Sequence, residues 1–139
     1  ARVVGGDARE AASSERRYKG YRVYAYIALS RLFAELNLDL DQEGLAERVR
    51  VALDAYRGRV TKEEILHAIR SNSHMTEKVL GYLTSERYAV VRKDERGYDV
   101  RITPAGAEHL RRYHRLYHEL YGRELAEHYR YVRSPEWLG

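Results

Sequence analysis

Residues 61–106, TKEEILHAIRSNSHMTEKVLGYLTSERYAVVRKDERGYDVRITPAG, change periodicity twice within one short run. Apolar residues recur at helical spacing in two segments and then alternate in two more. Thr61 and Glu64 form a T-x-x-E capping box, which predicts a helix start at Thr61 with Ile65, Ala68 and Ile69 inward. Ser71-Asn72-Ser73 interrupts that pattern with residues that favour turns and caps. A second helix follows from His74 to Glu86, with Met75, Val79 and Leu83 inward and Leu80 beside them. Tyr88–Val91 and Tyr98–Ile102 read as strands; in the second, Tyr98, Val100 and Ile102 alternate with Asp99, Arg101 and Thr103. Between them, Arg92-Lys93-Asp94-Glu95-Arg96-Gly97 reads as a solvated hairpin tip. Thr103 with Pro104 behind it supplies a cap and a favoured first position for the next helix. A hairpin placed here covers an apolar face that a bare helix pair would leave wet.

Upstream, Asp41 is the expected N-cap of a helix over 42–57, whose stripe is Leu45, Val49, Ala52, Leu53 and Tyr56. Gly58 marks its end, and Arg59-Val60 makes a minimal extended link. Before it, Arg16–Leu36 places Tyr21, Ala25, Ala28, Leu29, Leu32 and Leu36 on one stripe, with Tyr24, Tyr26, Ile27 and Phe33 around the other sides. Such a helix needs cover on two faces, and a second subunit is the expected cover for one of them. Downstream, a helix is expected from Pro104 to Tyr131, with a near-heptad seam of Leu110, Tyr113, Tyr117, Leu120, Tyr121 and Leu125. Gly122 loosens it and Ser134-Pro135 stops it. The expected organisation is a flexible arm at 1–15, a dimerising N-terminal helix at 16–40, a small domain at 41–103, a dimerising C-terminal helix at 104–133 and a tail at 134–139. Arg2 and Arg9 in the arm are read as part of a frayed tail rather than as groove contacts.

The chain has 139 residues, room for one domain with a real core. It has no cysteine, which excludes disulfides, thiol nucleophiles and Cys-ligated metal sites. No apolar run approaches the roughly 20 residues that span a bilayer. The N-terminus has no signal-peptide core, so a soluble, cytoplasmic protein without a membrane partner is expected. The net charge of +4 permits nucleic-acid binding but makes local placement of charge decisive. Arg predominates over Lys, and the composition is similar to that of thermophile proteins. Tyrosine is the unusual feature: thirteen, against one Phe and one Trp. An apolar ring with a polar tip suits half-buried helix faces and subunit contacts.

The order of helix 42–57, link, capped helix, turn, helix, strand, charged tip, strand and Ile102-Thr103-Pro104-Ala105-Gly106 resembles winged helix-turn-helix transcription regulators, with the MarR and PadR groups nearest in layout. The resemblance covers residues 42–110. It implies a mainly α fold with a small β-hairpin, a winged helix-turn-helix with long N- and C-terminal helices that build a homodimer. This chain departs from the pattern at Arg87, where such proteins commonly have a glycine that tolerates positive φ.

With Met75, Val79 and Leu83 inward, the outer face of the second helix carries His74, Glu77, Lys78, Gly81, Thr84 and Ser85. These would face a major groove, with Ser73 and the first backbone N–H groups on a phosphate. Lys78 reaches a phosphate or a guanine edge, Glu77 accepts from a cytosine amino group, and Gly81 lets the backbone come close. The resemblance puts the tip on a minor groove, with Arg96 as the foremost contact beside Arg92, Lys93 and Arg101. Tyr21, Tyr24, Ile27, Phe33, Leu110, Tyr113, Tyr117, Leu120 and Tyr121 are the expected dimer contacts. His114 and His118 stand at i, i+4, but HRLYHE is not the H-E-x-x-H arrangement of zinc hydrolases, so they are read as structural. No glycine-rich phosphate loop, nucleophile elbow or acid–base pair appears, so neither enzymatic activity nor a cofactor is expected. The expectation is a double-stranded DNA-binding regulator; the alternative is an architectural subunit that coats DNA or binds protein without reading sequence. A small-molecule effector has no support in the residues.

Overall fold

The computed structural model describes residues 20–138, so the expected arm at 1–15, with Arg2 and Arg9, lies outside the described residues. Within them the order is α1 Gly20–Ala34, α2 Leu45–Ala55, α3 Lys62–Ile69, α4 Ser73–Ser85, β1 Ala89–Asp94, β2 Gly97–Ile102 and α5 Pro104–His128, then a 3-10 turn at Glu136–Leu138. The fold is mainly helical with one two-stranded antiparallel sheet.

The 61–106 stretch forms its elements for local reasons. The Glu64 N–H donates to Thr61 Oγ1 at 3.1 Å, which caps α3. The Glu64 carboxylate accepts from Arg31 at 3.4 Å instead of reaching back to Thr61, so only half of the box closes. Asn72 caps α4, its Oδ1 accepting from the Met75 N–H at 2.8 Å. Both helices end in the same device. The Ser71 N–H bonds Leu66 O and the Arg70 N–H bonds His67 O; the Tyr88 N–H bonds Leu83 O and the Arg87 N–H bonds Thr84 O. These are two Schellman closures, and each puts an arginine in the left-handed region, Arg70 at φ 54° and Arg87 at φ 63°.

β1 runs further than the sequence suggests. The register pairs Ala89 with Ile102 and closes at Asp94 opposite Gly97, so Arg92 and Lys93 are strand residues and only Glu95-Arg96 forms the loop. Val60 O accepts from the Val100 N–H at 2.8 Å, which lays the 59–60 link along the free edge of β2. Ala89, Val100 and Ile102 turn inward on Ile65, Ile69, Val79 and Leu83 to form the core.

Several expected boundaries shift. α2 starts at Leu45 behind Gly44 (φ 67°), which has no side-chain cap, so Asp41 does not cap it. Asp39 organises that turn instead, accepting from the Asp41 N–H at 3.1 Å. α2 ends at Ala55 rather than near Gly58, and Gly58 lies beneath the Tyr56 ring, 2.7 Å from where its Cβ would be. Thr76 is buried on α4 where Met75 was expected, and Met75 is only half-buried.

The largest correction concerns the terminal helices. Every residue from Val23 to Ser30 is buried, and the cover comes from this chain: α1 packs on α3, α4, α5, β2 and the C-terminal turn. α5 breaks at Tyr121 (φ −117°, ψ 17°), one residue before Gly122, so it does not run on as one seam. Its last turns bring Leu125, His128 and Tyr129 inside, and Leu138 of the tail is buried as well. The Tyr26 hydroxyl donates to Leu138 O at 2.9 Å and holds the tail down on α1. Tyr24, Ile27, Phe33 and Leu110, expected at a dimer interface, are thus core residues of the single chain. Burying a side chain of this size contributes about 1.5–3 kcal/mol, so these contacts serve the monomer's own stability.

Candidate nucleic-acid interface

α4 presents Ser73, His74, Glu77, Lys78, Gly81 and Ser85 to solvent, as its apolar stripe dictates. Thr84 is half-buried, and its hydroxyl turns back to Leu80 O at 2.8 Å; the Ser85 hydroxyl donates to Tyr82 O at 3.3 Å. Those two groups are occupied by their own helix. Glu77 is held by Lys62 at 2.8 Å, and the Lys78 ammonium stands 5.1 Å from the centre of the Tyr21 ring. The Glu77–Lys62 pair is open to solvent and worth about 1 kcal/mol or less, so it exchanges readily for another partner. A Cβ on Gly81 would meet nothing within 4 Å. A glycine inside a helix costs about 1 kcal/mol relative to alanine, and no packing within the chain requires this one.

The hairpin divides the cations that the sequence groups together. Opposed residues share a face, so Arg92, Asp99, Val90 and Arg101 lie on one side and Lys93, Tyr98, Val91 and Val100 on the other. On the second side Tyr98 sits between two ammonium groups, Lys62 at 3.9 Å and Lys93 at 5.3 Å from its ring centre. Lys62 therefore joins the surface that runs from α4 to the hairpin. It was not singled out from the sequence, because its neighbours Glu77 and Tyr98 come from distant positions. Arg101 is not a free contact: its Nε donates to Asp99 at 2.9 Å and its guanidinium stands 5.1 Å from the centre of the Tyr56 ring. Asp99, expected outward, is only 6% exposed beneath this contact.

The tip is fixed from two directions. Arg59 donates to the carbonyls of Gly97 and Tyr98, each at 3.3 Å, and pairs with the Asp94 carboxylate. Asp94 also accepts from the Arg96 N–H at 2.8 Å. The Arg59 guanidinium holds the Asp94 carboxyl below the usual carboxylate range, with the Arg96 amide assisting. The Arg96 side chain is left exposed at the end of a braced loop, with no carboxylate partner among the described residues.

Of the remaining expected contacts, Tyr113 and Leu120 are exposed on α5 while Tyr21, Tyr117 and Tyr121 are half-buried. Tyr117 stacks on Tyr26 at 4.9 Å, and its hydroxyl meets His109 Nε2 at 3.1 Å. Burial pushes the Tyr117 hydroxyl well above the ordinary tyrosine value. His114 bonds Arg111 O through Nδ1 at 3.1 Å, whereas His118 Nε2 meets the Tyr26 hydroxyl at 2.7 Å, so the two rings do not converge. Among the described residues no helix is long and apolar enough to cross a membrane. Compared with protein-family models, curated proteins and solved structures, the chain matches none.

Proposed function

We propose that this protein binds double-stranded DNA as a winged helix-turn-helix, with α4 in the major groove and the hairpin tip on the flanking minor groove. One observation carries the reading. A capped helix pair is followed by a hairpin whose second strand also bonds the link before α3, and basic residues, the exposed Lys78, Lys93 and Arg96 and the half-buried Lys62, occur on α4, the hairpin and the start of α3. The proposed role is transcriptional regulation by a homodimer. Its two-fold contact runs through Tyr113, Leu116 and Leu120, the part of the α5 seam left exposed.

A second reading, DNA coating or architecture without sequence recognition, is favoured by the state of the reading face. Thr84 and Ser85 spend their hydroxyls on their own helix and Glu77 is paired, so His74 and Lys78 carry the side-chain chemistry available to bases. Selection of bound sequences from a random duplex pool separates the two. A regulator enriches one site, and a coat enriches none and binds cooperatively along length. Both require affinity that falls steeply with salt, since phosphate contacts release counterions. Affinity for duplex that stays flat between low and moderate salt would sink both readings.

A further inference from the structure

The hairpin face opposite the helical core, the last turn of α2 and the 56–60 link enclose a cleft of about 750 Å³. Seven cationic residues and three carboxylates line it. Two of the carboxylates are taken, Asp99 by Arg101 at 2.9 Å and Asp94 by Arg59, while Asp54, 3.4 Å from Arg50, shares that cation with Glu47. Arg57, Arg92 and Arg96 remain, because the Lys93 ammonium lies on the other face of the hairpin, against the Tyr98 ring. Arg57 donates only to the carbonyls of Asp54 and Tyr56, and none of the three makes an ion pair among the described residues. Three such charges against one shared carboxylate leave the concavity net positive and concentrate a field into it, a state that an anion relieves.

The occupant's size and charge follow. The volume falls within the roughly 300–1,000 Å³ of small-molecule sites. Three cations around one mouth match several phosphate oxygens rather than one carboxylate. Leu53, Val90 and Pro104 add an apolar strip to the lining, against which a flat ring can rest.

We propose that this cleft binds a small condensed phosphate of the triphosphate class, and that the bound anion competes with duplex DNA for Arg92 and Arg96. The binding half stands on the cleft alone; the competition half rests on the DNA reading given above. A cation already neutralised by the ligand has no counterion to release on meeting a phosphodiester, so occupancy weakens duplex binding, and duplex weakens ligand binding by the same factor.

The test uses the full chain with inorganic tripolyphosphate and, separately, a nucleoside triphosphate, both without divalent metal, followed by calorimetry. Saturable binding with one site per chain is expected. Arg57→Ala should weaken it about tenfold, the worth of one charge-assisted contact, while Arg130→Ala, the same loss of charge at a distant exposed position, should not. Equal affinity for the two probes assigns recognition to the phosphates alone, and tighter nucleotide binding adds the Leu53–Val90–Pro104 strip; either supports the site. Unsaturable binding, or equal effects of the two variants, overturns it in favour of plain charge attraction. Tripolyphosphate should also raise the apparent duplex Kd of the wild type and do so less in Arg57→Ala. Triphosphate binding without any duplex binding would remove the DNA reading and leave the site; duplex binding indifferent to tripolyphosphate would remove the competition.

Discussion

Gly106 packs so closely on Tyr88 that a Cβ built on it would lie 2.1 Å from the Tyr88 carbonyl oxygen. That oxygen already accepts from the Thr103 N–H at 3.0 Å, and the Gly106 N–H donates to Thr103 Oγ1 at 2.9 Å. The start of α5 is thereby sealed against the strand entering the hairpin. The obstacle is backbone, which cannot swing aside. Gly106→Ala should therefore destabilise by about 1–3 kcal/mol despite alanine's better helix propensity, read as a lower urea midpoint. An unchanged midpoint would show that the two elements stand further apart.

Arg87 offers the opposite experiment. Its φ of 63° closes α4, and its carbonyl accepts from the Thr103 hydroxyl at 2.7 Å, so the conformation is held from outside while its side chain is exposed. A left-handed residue with a Cβ costs roughly 1–2 kcal/mol, which glycine avoids at some expense in chain entropy. Arg87→Gly should raise stability by about 0.5–1 kcal/mol and Arg87→Ala should not. Equal midpoints for the two variants would contradict the geometry.

What could be read from the sequence follows from how far apart the deciding partners lie. Thr61 with Glu64, and Thr103 with Gly106, are caps written three residues apart, so α3 and the start of α5 were legible. Asp99 was misread because alternation counts positions and ignores what covers them. Its cover is Arg101, itself against Tyr56 of a remote segment. α1 was correctly read as apolar on all sides, but the source of its cover was not visible. That depends on a break at Tyr121, for which Gly122 was the one local sign, and on the tail returning to Tyr26. The site shows the same division. The exposed face of α4 followed from its period, whereas the bracing by Arg59 and the position of Lys62 depend on neighbours that only the fold supplies.

The tail contact is testable by itself. The Tyr26 hydroxyl joins Leu138 O and His118 Nε2, at 2.9 and 2.7 Å, inside a largely buried setting. Tyr26→Phe keeps the ring stacked on Tyr117 but removes the shorter of the two contacts on Leu138 O, leaving only His118 Nε2 at 3.4 Å, which costs about 1 kcal/mol. The Trp137 emission spectrum reports release of the tail directly, since Trp137 adjoins Leu138. A red shift in the variant is expected, and an unshifted spectrum with full stability would show that packing alone retains the tail.

Stability should fall in mild acid through His109. The ring stacks on Tyr88 at 4.2 Å and is half-buried; burial, assisted by Arg112 and opposed by Glu86, holds its pKa below the ordinary 6.5. The folded chain therefore binds fewer protons than the unfolded one below about pH 6.5. The stabilisation is complete above that pH and is lost as pH falls through the lowered folded value. His109→Phe keeps the stacking and removes the proton, so the urea midpoint should drop less between pH 7.5 and 5.5 than in the wild type. Equal drops would show that His109 is not the source of the acid sensitivity.

Gly81 separates fold from function in one substitution. Nothing within 4 Å of its Cβ position opposes a methyl group, so Gly81→Ala should raise stability by about 0.5–1 kcal/mol through helix propensity alone. If α4 enters a groove, the same methyl group stands between the helix backbone and the duplex, and binding should weaken. Anisotropy with a labelled duplex and a thermal melt on the same preparation read both effects. A stabilised variant with undiminished duplex affinity would remove this face of α4 from the interface, whatever else the protein binds, because the gain in stability would already prove the chain folded and the helix intact.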